Sequence, residues 1–150
     1  MEFDFKKDSE ILEAEKVVEK KWGGEIWITN NEQYCQKFLY IKKGWRFSLQ
    51  YHKNKHETFH LLEGRVYLEL QKNPDFSQPA YKQENSERVL VPGATRVIPP
   101  YQIHRASALE NSVILETSTH NEDSDTYRIY YVGEFYLYEL TSNLKKRNLM

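Results

Sequence analysis

A chain of 150 residues with 39% hydrophobic and 14% aromatic residues carries enough apolar material for one core and too little length for two ordinary domains. Twenty-one Lys and Arg against 22 Asp and Glu leave a net charge of -1, so no surplus positive field exists to hold nucleic acid or an anionic membrane surface. The single cysteine, Cys35, has no second thiol for a disulfide or a thiolate metal site, and no run approaches the roughly 20 apolar residues of a membrane span, so the expected compartment is the cytoplasm.

From Asp8 to Lys21 the apolar positions Ile11, Leu12, Ala14, Val17 and Val18 recur at three- and four-residue intervals behind a capping Asp8 or Ser9. That spacing predicts a short amphipathic helix ended by Gly23 and Gly24. Beyond it the chain turns to short runs rich in Ile, Val, Tyr, Phe and Trp, separated by turn residues. Strands are predicted at 25–29, 34–42, 45–51, 57–62, 65–71, 88–91, 94–98, 103–109, 112–117 and 127–131. Many short strands with one helix in front argue an all-β sandwich or barrel, since βαβ units would need helices between the strands. The segment 72–87, with Asn73, Pro74, Asp75 and Pro79, is the longest loop, a lid or a long hairpin. The end of the chain reads as a helix whose Lys145, Lys146 and Arg147 suit its C-terminal dipole. The predicted organisation is a helical extension at 1–23, a β domain at 24–138 and a tail at 139–150.

Four of the five histidines lie between His52 and His104. With the period of a strand, Arg46, Ser48, Gln50 and His52 share one face of 45–51, and Trp45, Phe47, Leu49 and Tyr51 share the other. The aromatic face needs a cover, either the front helix or a second subunit, which makes a homodimer the expected assembly. After the turn Lys53-Asn54-Lys55, Glu57 alternates with Phe59 and Leu61 on an apolar side. A carboxylate there is costly unless paired or bound to a cation, which points to an ion shared with Gln50 and His52. His56 and His60 fall in the turn and on the opposite parity, so they are expected at the surface.

Reading from Gly44, the spacing through Gln50, His52 and Glu57 to Gly64 resembles the first motif of the cupin superfamily, with Gln50 in place of its first His. Gly93, Pro99 and His104 match the second motif, with Tyr101 where Gly is usual and Ala108 where Asn is frequent. The resemblance implies a double-stranded β-helix, a jelly-roll-like barrel, in which Gln50, His52, Glu57 and His104 hold one divalent ion. Zn²⁺ is the first expectation, with Fe²⁺, Mn²⁺ and Ni²⁺ chemically compatible.

Within that superfamily, Ser48-Leu49-Gln50-Tyr51-His52 followed by Lys55 and Glu57 resembles the cupin domain of the type II mannose-6-phosphate isomerases. Lys21-Trp22-Gly23, Lys37, Glu116 and the stretch from Glu122-Asp123 to Arg128 run parallel to that family as well. Departures are Lys55 for an Arg, Thr58-Phe59 for His-Trp, and Lys21 where Pro precedes the Trp. The resemblance implies aldose–ketose isomerisation of a sugar or sugar phosphate, with the metal polarising a carbonyl and stabilising an enediolate. Glu116 is the candidate base. Lys55 and Arg105 are candidates to receive a phosphate or sugar oxygens, and Arg46 and Tyr101 are candidate substrate contacts. The alternatives are a sugar-binding cupin without turnover and an iron-dependent cupin oxygenase, the latter disfavoured because many of those use three His and one Glu.

Overall fold

β-Branched and aromatic runs punctuated by Gly, Asn and Pro turns build two facing antiparallel sheets. The structure, a computed structural model, describes residues 2–75, 82–130 and 133–150. In chain order it contains α1 (Phe5–Ile11), β1 (Lys16–Lys20), β2 (Gly23–Asn30), β3 (Cys35–Ile41), β4 (Trp45–Arg46), β5 (Leu49–His52), β6 (Glu57–Glu63) and β7 (Val66–Gln71). There follow β8 (Ser86–Leu90), β9 (Thr95–Ile98), β10 (Ile103–Ala108), β11 (Ser112–Ser118), β12 (Thr126–Tyr130), β13 (Gly133–Glu134) and α2 (Leu137–Lys146). One sheet runs β1-β2-β3-β11-β6-β9. In the other, β10 lies between β7 and the kinked β4–β5 segment; β8 pairs with β7, while β12 and β13 flank β5 and β4. Between the sheets sits a core that includes Trp22, Leu39, Phe47, Phe59, Leu61, Leu68, Ile98 and Ile114. The all-β architecture with a front helix is the one the sequence predicts. Among the described residues no helix is long and apolar enough to cross a membrane.

The front helix is shorter and earlier than 8–21. Asp4 caps it by accepting the Lys7 backbone N–H at 2.9 Å, and Leu12 ends it in extended conformation. The following Lys16–Lys20 pairs antiparallel with β2 as β1, because the neighbouring β-branched Val17 and Val18 favour strand once an edge is available. Gly23 opens β2 instead of closing a helix; its φ is +148°, and a Cβ there would lie 1.7 Å from the Tyr40 carbonyl oxygen. Helix α1 packs on the outer face of the first sheet, where Phe5 meets Tyr40 edge-on and Tyr40 Oη donates to Asp8 at 2.7 Å.

The predicted strand 45–51 is broken at Phe47 and Ser48, and the break changes which parity faces inward. Before it Trp45 and Phe47 pack into the core; after it Gln50 and His52 point inward and Tyr51 outward, stacked on Tyr127 at 5.1 Å and Tyr101 at 6.2 Å. The continuous aromatic face expected to need a cover is thereby divided between the interior and the outer surface. The predicted strand 127–131 is found at Thr126–Tyr130, and Tyr131 lies outside the described residues, as do 76–81 of the long loop. The loop's described ends are pinned by Lys72 N–H to Asn85 at 2.8 Å and Asn73 N–H to Gln83 at 2.9 Å. The C-terminal helix packs Leu144, fully buried, against Tyr67 and Leu109.

Gly64, which closes the first motif, sits at φ +89°, and a Cβ there would lie 2.3 Å from Ser112 Oγ and 2.4 Å from the Asn111 carbonyl oxygen. Gly64→Ala combines a left-handed backbone with a backbone clash and should cost about 2–3 kcal/mol of stability, read as a lower midpoint in urea unfolding. An unchanged midpoint would mean that this turn tolerates a side chain.

Candidate metal centre and cavity

The kink after β4 and the register of β10 against β5 bring together side chains from three strands. His52 ends β5, Glu57 begins β6 and His104 lies on β10, directly across from Gln50. Glu57 and His104 are 1% and 0% exposed, and His52 is 3% exposed. One nitrogen, imidazole Nε2 of each His, and one Glu57 oxygen lie within 4.8 Å of one another. His104 Nε2 is 2.8 Å and His52 Nε2 3.7 Å from Glu57 Oε1. Phe47 and Phe59 close on His104 edge-on, with ring centroids 6.4 and 6.0 Å away.

The second nitrogen of each ring settles the tautomer. His52 Nδ1 faces the Asp125 backbone carbonyl at 3.1 Å and His104 Nδ1 faces the Gln102 carbonyl at 2.9 Å. A carbonyl only accepts, so each Nδ1 carries a proton, and Nε2 is the nitrogen each ring offers to a metal. Burial pushes the His52 imidazole down to about 3, against the pull of Glu57 toward the charged form, so it is neutral at ordinary pH. Both Nε2 atoms and Glu57 Oε1 are buried and converge on one another. Two imidazole nitrogens and a carboxylate oxygen meeting in a buried site are a donor set that a divalent cation satisfies, and they suit a borderline metal. The residues present therefore fit the ion that the sequence implies.

Asp125 holds the turn between the two halves of this set. Its carboxylate accepts the backbone N–H groups of Lys53 at 2.9 Å, Asn54 at 3.1 Å and Lys55 at 2.9 Å. Tyr101, at φ +67°, donates its N–H to the His52 carbonyl at 2.6 Å. It fixes the chain on which His52 sits and is not among the residues lining the cavity, which corrects its expected role as a substrate contact.

Beside the triad opens a cavity of about 370 Å³. Gln50 lines it and accepts the Ser48 hydroxyl at 2.6 Å. Glu116, 3% exposed, lies in its wall between Lys37 Nζ at 3.3 Å and Lys55 Nζ at 3.5 Å. Burial raises the Glu116 carboxyl above its ordinary value, opposed by Lys37 and then Lys55. Lys37 also reaches Glu25 at 3.6 Å and lies 4.4 Å from the centre of the Trp27 ring. Lys20, Lys21 and Arg128 are exposed cations in the lining.

Of the other expected substrate contacts, Lys55 lines the cavity but is already engaged, and Arg105 and Arg46 are not in its lining. Lys55 is 5% exposed, with Nζ 2.9 Å from Glu57 Oε2, 3.0 Å from Asn121 Oδ1 and 3.5 Å from Glu116 Oε1. Its three ammonium protons all have acceptors, leaving none for a phosphate. Arg105 follows the inward His104 and so points outward, where its guanidinium grips Glu69 on β7 at 2.9 and 3.3 Å. Arg46 precedes the kink and faces outward, its guanidinium 5.8 Å from the Phe135 ring centre. The residues that sequence reasoning left out of the site are Lys37, Asn121, Asp125 and Arg128. Lys37 is the cross-strand partner of Glu116, so inward parity on β3 and β11 was the signal for it.

No family model matches the chain, and no curated protein matches it. Among solved structures, KdgF from Halomonas sp. aligns with a TM-score of 0.59 at 17% identity, covering 73% of this chain and 91% of that one. An RmlC-like cupin from Shewanella frigidimarina aligns with a TM-score of 0.60 at 13% identity, covering 75% of this chain and 88% of its own. The chain has the cupin fold. Capsular polysaccharide assembling protein CapF from Staphylococcus aureus shares that fold over 77% of this chain, at 15% identity and a TM-score of 0.59, and the match spans 34% of CapF. Within this fold His52, Glu57 and His104 meet at one buried point.

Proposed function

We propose that this cupin binds one divalent ion through His52, Glu57 and His104, with Gln50 as a fourth ligand, and isomerises a sugar or sugar phosphate between aldose and ketose. The observation that carries this reading is the buried convergence of His52, Glu57 and His104 beside a cavity whose wall holds a second buried carboxylate, Glu116. A divalent ion at the triad would polarise a sugar carbonyl and the hydroxyl beside it. Glu116 takes the proton from the adjacent carbon, and its raised affinity for protons suits that role. The Lys37 ammonium, 3.3 Å from Glu116, holds the carboxylate in position. A phosphate, where the substrate has one, falls to the exposed cations Arg128, Lys20 and Lys21 at the lining, in place of Lys55 and Arg105. The fold likeness to CapF, whose name places it in polysaccharide assembly, favours a sugar-related substrate.

One observation favours a sugar-binding cupin without turnover: Glu116 is engaged by two ammonium groups. Incubation of metal-loaded protein with mannose 6-phosphate and with free hexoses in D2O separates the two. Loss of the proton at the carbon next to the carbonyl, followed by NMR, supports the isomerase; saturable binding without exchange supports the module and overturns the isomerase.

A further inference from the structure

The triad is not the only claimant on Glu57. Its Oε1 faces the two imidazoles, while its Oε2 is held at 2.9 Å by the Lys55 ammonium, in a place where both side chains are almost fully buried. We infer that Lys55 is a resident counter-cation, a positioning residue that holds Glu57 by Oε2 and keeps Oε1 aimed at the two imidazoles when no metal is bound, and that restricts it to one oxygen when the metal arrives. The inference rests on the metal-binding reading above.

The electrostatics of the neighbourhood support it. Glu25, Glu57 and Glu116 share two ammonium groups, Lys37 and Lys55, while Glu57 also faces the imidazoles of His52 and His104. Removing Lys55 takes away the ammonium partner of Glu57 and leaves its Oε2 buried, with only the imidazoles at Oε1 to compensate it, a state that a buried carboxylate tolerates poorly. A divalent ion at the triad would restore that compensation. With Lys55 present, by contrast, an incoming ion meets a like charge already on its carboxylate and binds less tightly than the ligand set alone would allow. The backbone supports this division of Glu57: Asp125 accepts the Lys55 N–H and Asn121 Oδ1 accepts from its Nζ at 3.0 Å, so the ammonium is anchored independently of Glu57. An ammonium that served only to fill space would lower stability when removed and leave the metal's contribution unchanged. A counter-cation makes the two effects move in opposite directions.

The test compares wild type, Lys55→Met, Lys55→Gln and Lys55→Arg, each stripped with chelator and then titrated with Zn²⁺ and with Co²⁺. Thermal unfolding and competition against a chelating dye are the readouts. Lys55→Met and Lys55→Gln should melt well below wild type without metal, recover most of that loss with metal, and bind Zn²⁺ about tenfold tighter or more. Their Co²⁺ absorption should change as Glu57 gains its second oxygen, whereas Lys55→Arg should retain wild-type behaviour. If both neutral variants are insoluble, solubility restored by divalent ion during expression supports the inference, and insolubility with the ion present overturns it. A metal-induced stabilisation equal to that of wild type, or weaker binding, overturns it while leaving the metal site intact. Absence of metal binding by wild type overturns the metal reading and this inference together.

Discussion

His52→Ala should reduce divalent metal from about one ion per chain to a trace and abolish aldose–ketose conversion. The ring is one of the two imidazole donors of the centre, and its Nε2 lies 3.7 Å from Glu57 Oε1. Substitutions of residues that merely orient a ligand typically weaken metal binding 10–100-fold, so loss of the ligand itself should exceed about 100-fold. His52 is a better test than His104, because His104 is wedged between Phe47 and Phe59 and its removal would leave a hole in the core. His52 sits at the end of β5, where Tyr101 N–H binds its carbonyl and the Asp125 carboxylate binds the backbone that follows, so the ring's removal costs one hydrogen bond, from Nδ1 to the Asp125 carbonyl, and leaves these backbone contacts in place. Elemental analysis after gel filtration, with circular dichroism to establish that the variant is folded, reads the result. A folded His52→Ala protein that still carries one ion per chain would remove His52 from the ligand set and the proposed chemistry with it.

The parts of this centre that were legible in the sequence are those fixed by local spacing. His52 and Glu57 are separated by a single turn, and His104 follows Pro99 at a set offset, so strand parity plus the cupin resemblance was enough to bring them together. What parity misplaced depends on breaks in parity. Arg46 and Gln50 share a face only if the strand runs unbroken, and the kink at Phe47 and Ser48 turns Arg46 outward onto Phe135. Arg105 was drawn toward the cavity by its neighbour in sequence, although adjacent strand residues point in opposite directions. Lys55 belongs to a turn that looked solvent-exposed; Asp125, seventy residues later, folds that turn inward by accepting its backbone N–H groups. The front helix was overextended because Val17 and Val18 fit a helical period as well as a strand, and the pairing of β1 with β2 decides between them. Such long-range partners leave no local signature.

Glu116→Gln should leave the metal content at about one ion per chain and slow exchange of the substrate proton by 10²- to 10⁴-fold, the range typical for loss of a general base. The amide is nearly isosteric with the carboxyl, but Lys37 and Lys55 reach different carboxylate oxygens, so its single oxygen keeps one ammonium contact and its NH2 takes the place of the other acceptor. What disappears is the capacity to take a proton. The same change alters the charge balance: two ammonium groups that shared Glu116 now face Glu57 and Glu25 alone, which strengthens the Lys55 to Glu57 contact. Sugar binding should therefore persist, measured by quenching of Trp22 fluorescence, since that ring lines the cavity. A full rate of exchange in Glu116→Gln would assign the base elsewhere. Loss of metal along with exchange would place Glu116 in the support of Glu57 and not in proton transfer, because the two carboxylates share the Lys55 ammonium and Glu57 also acts on Glu116 directly.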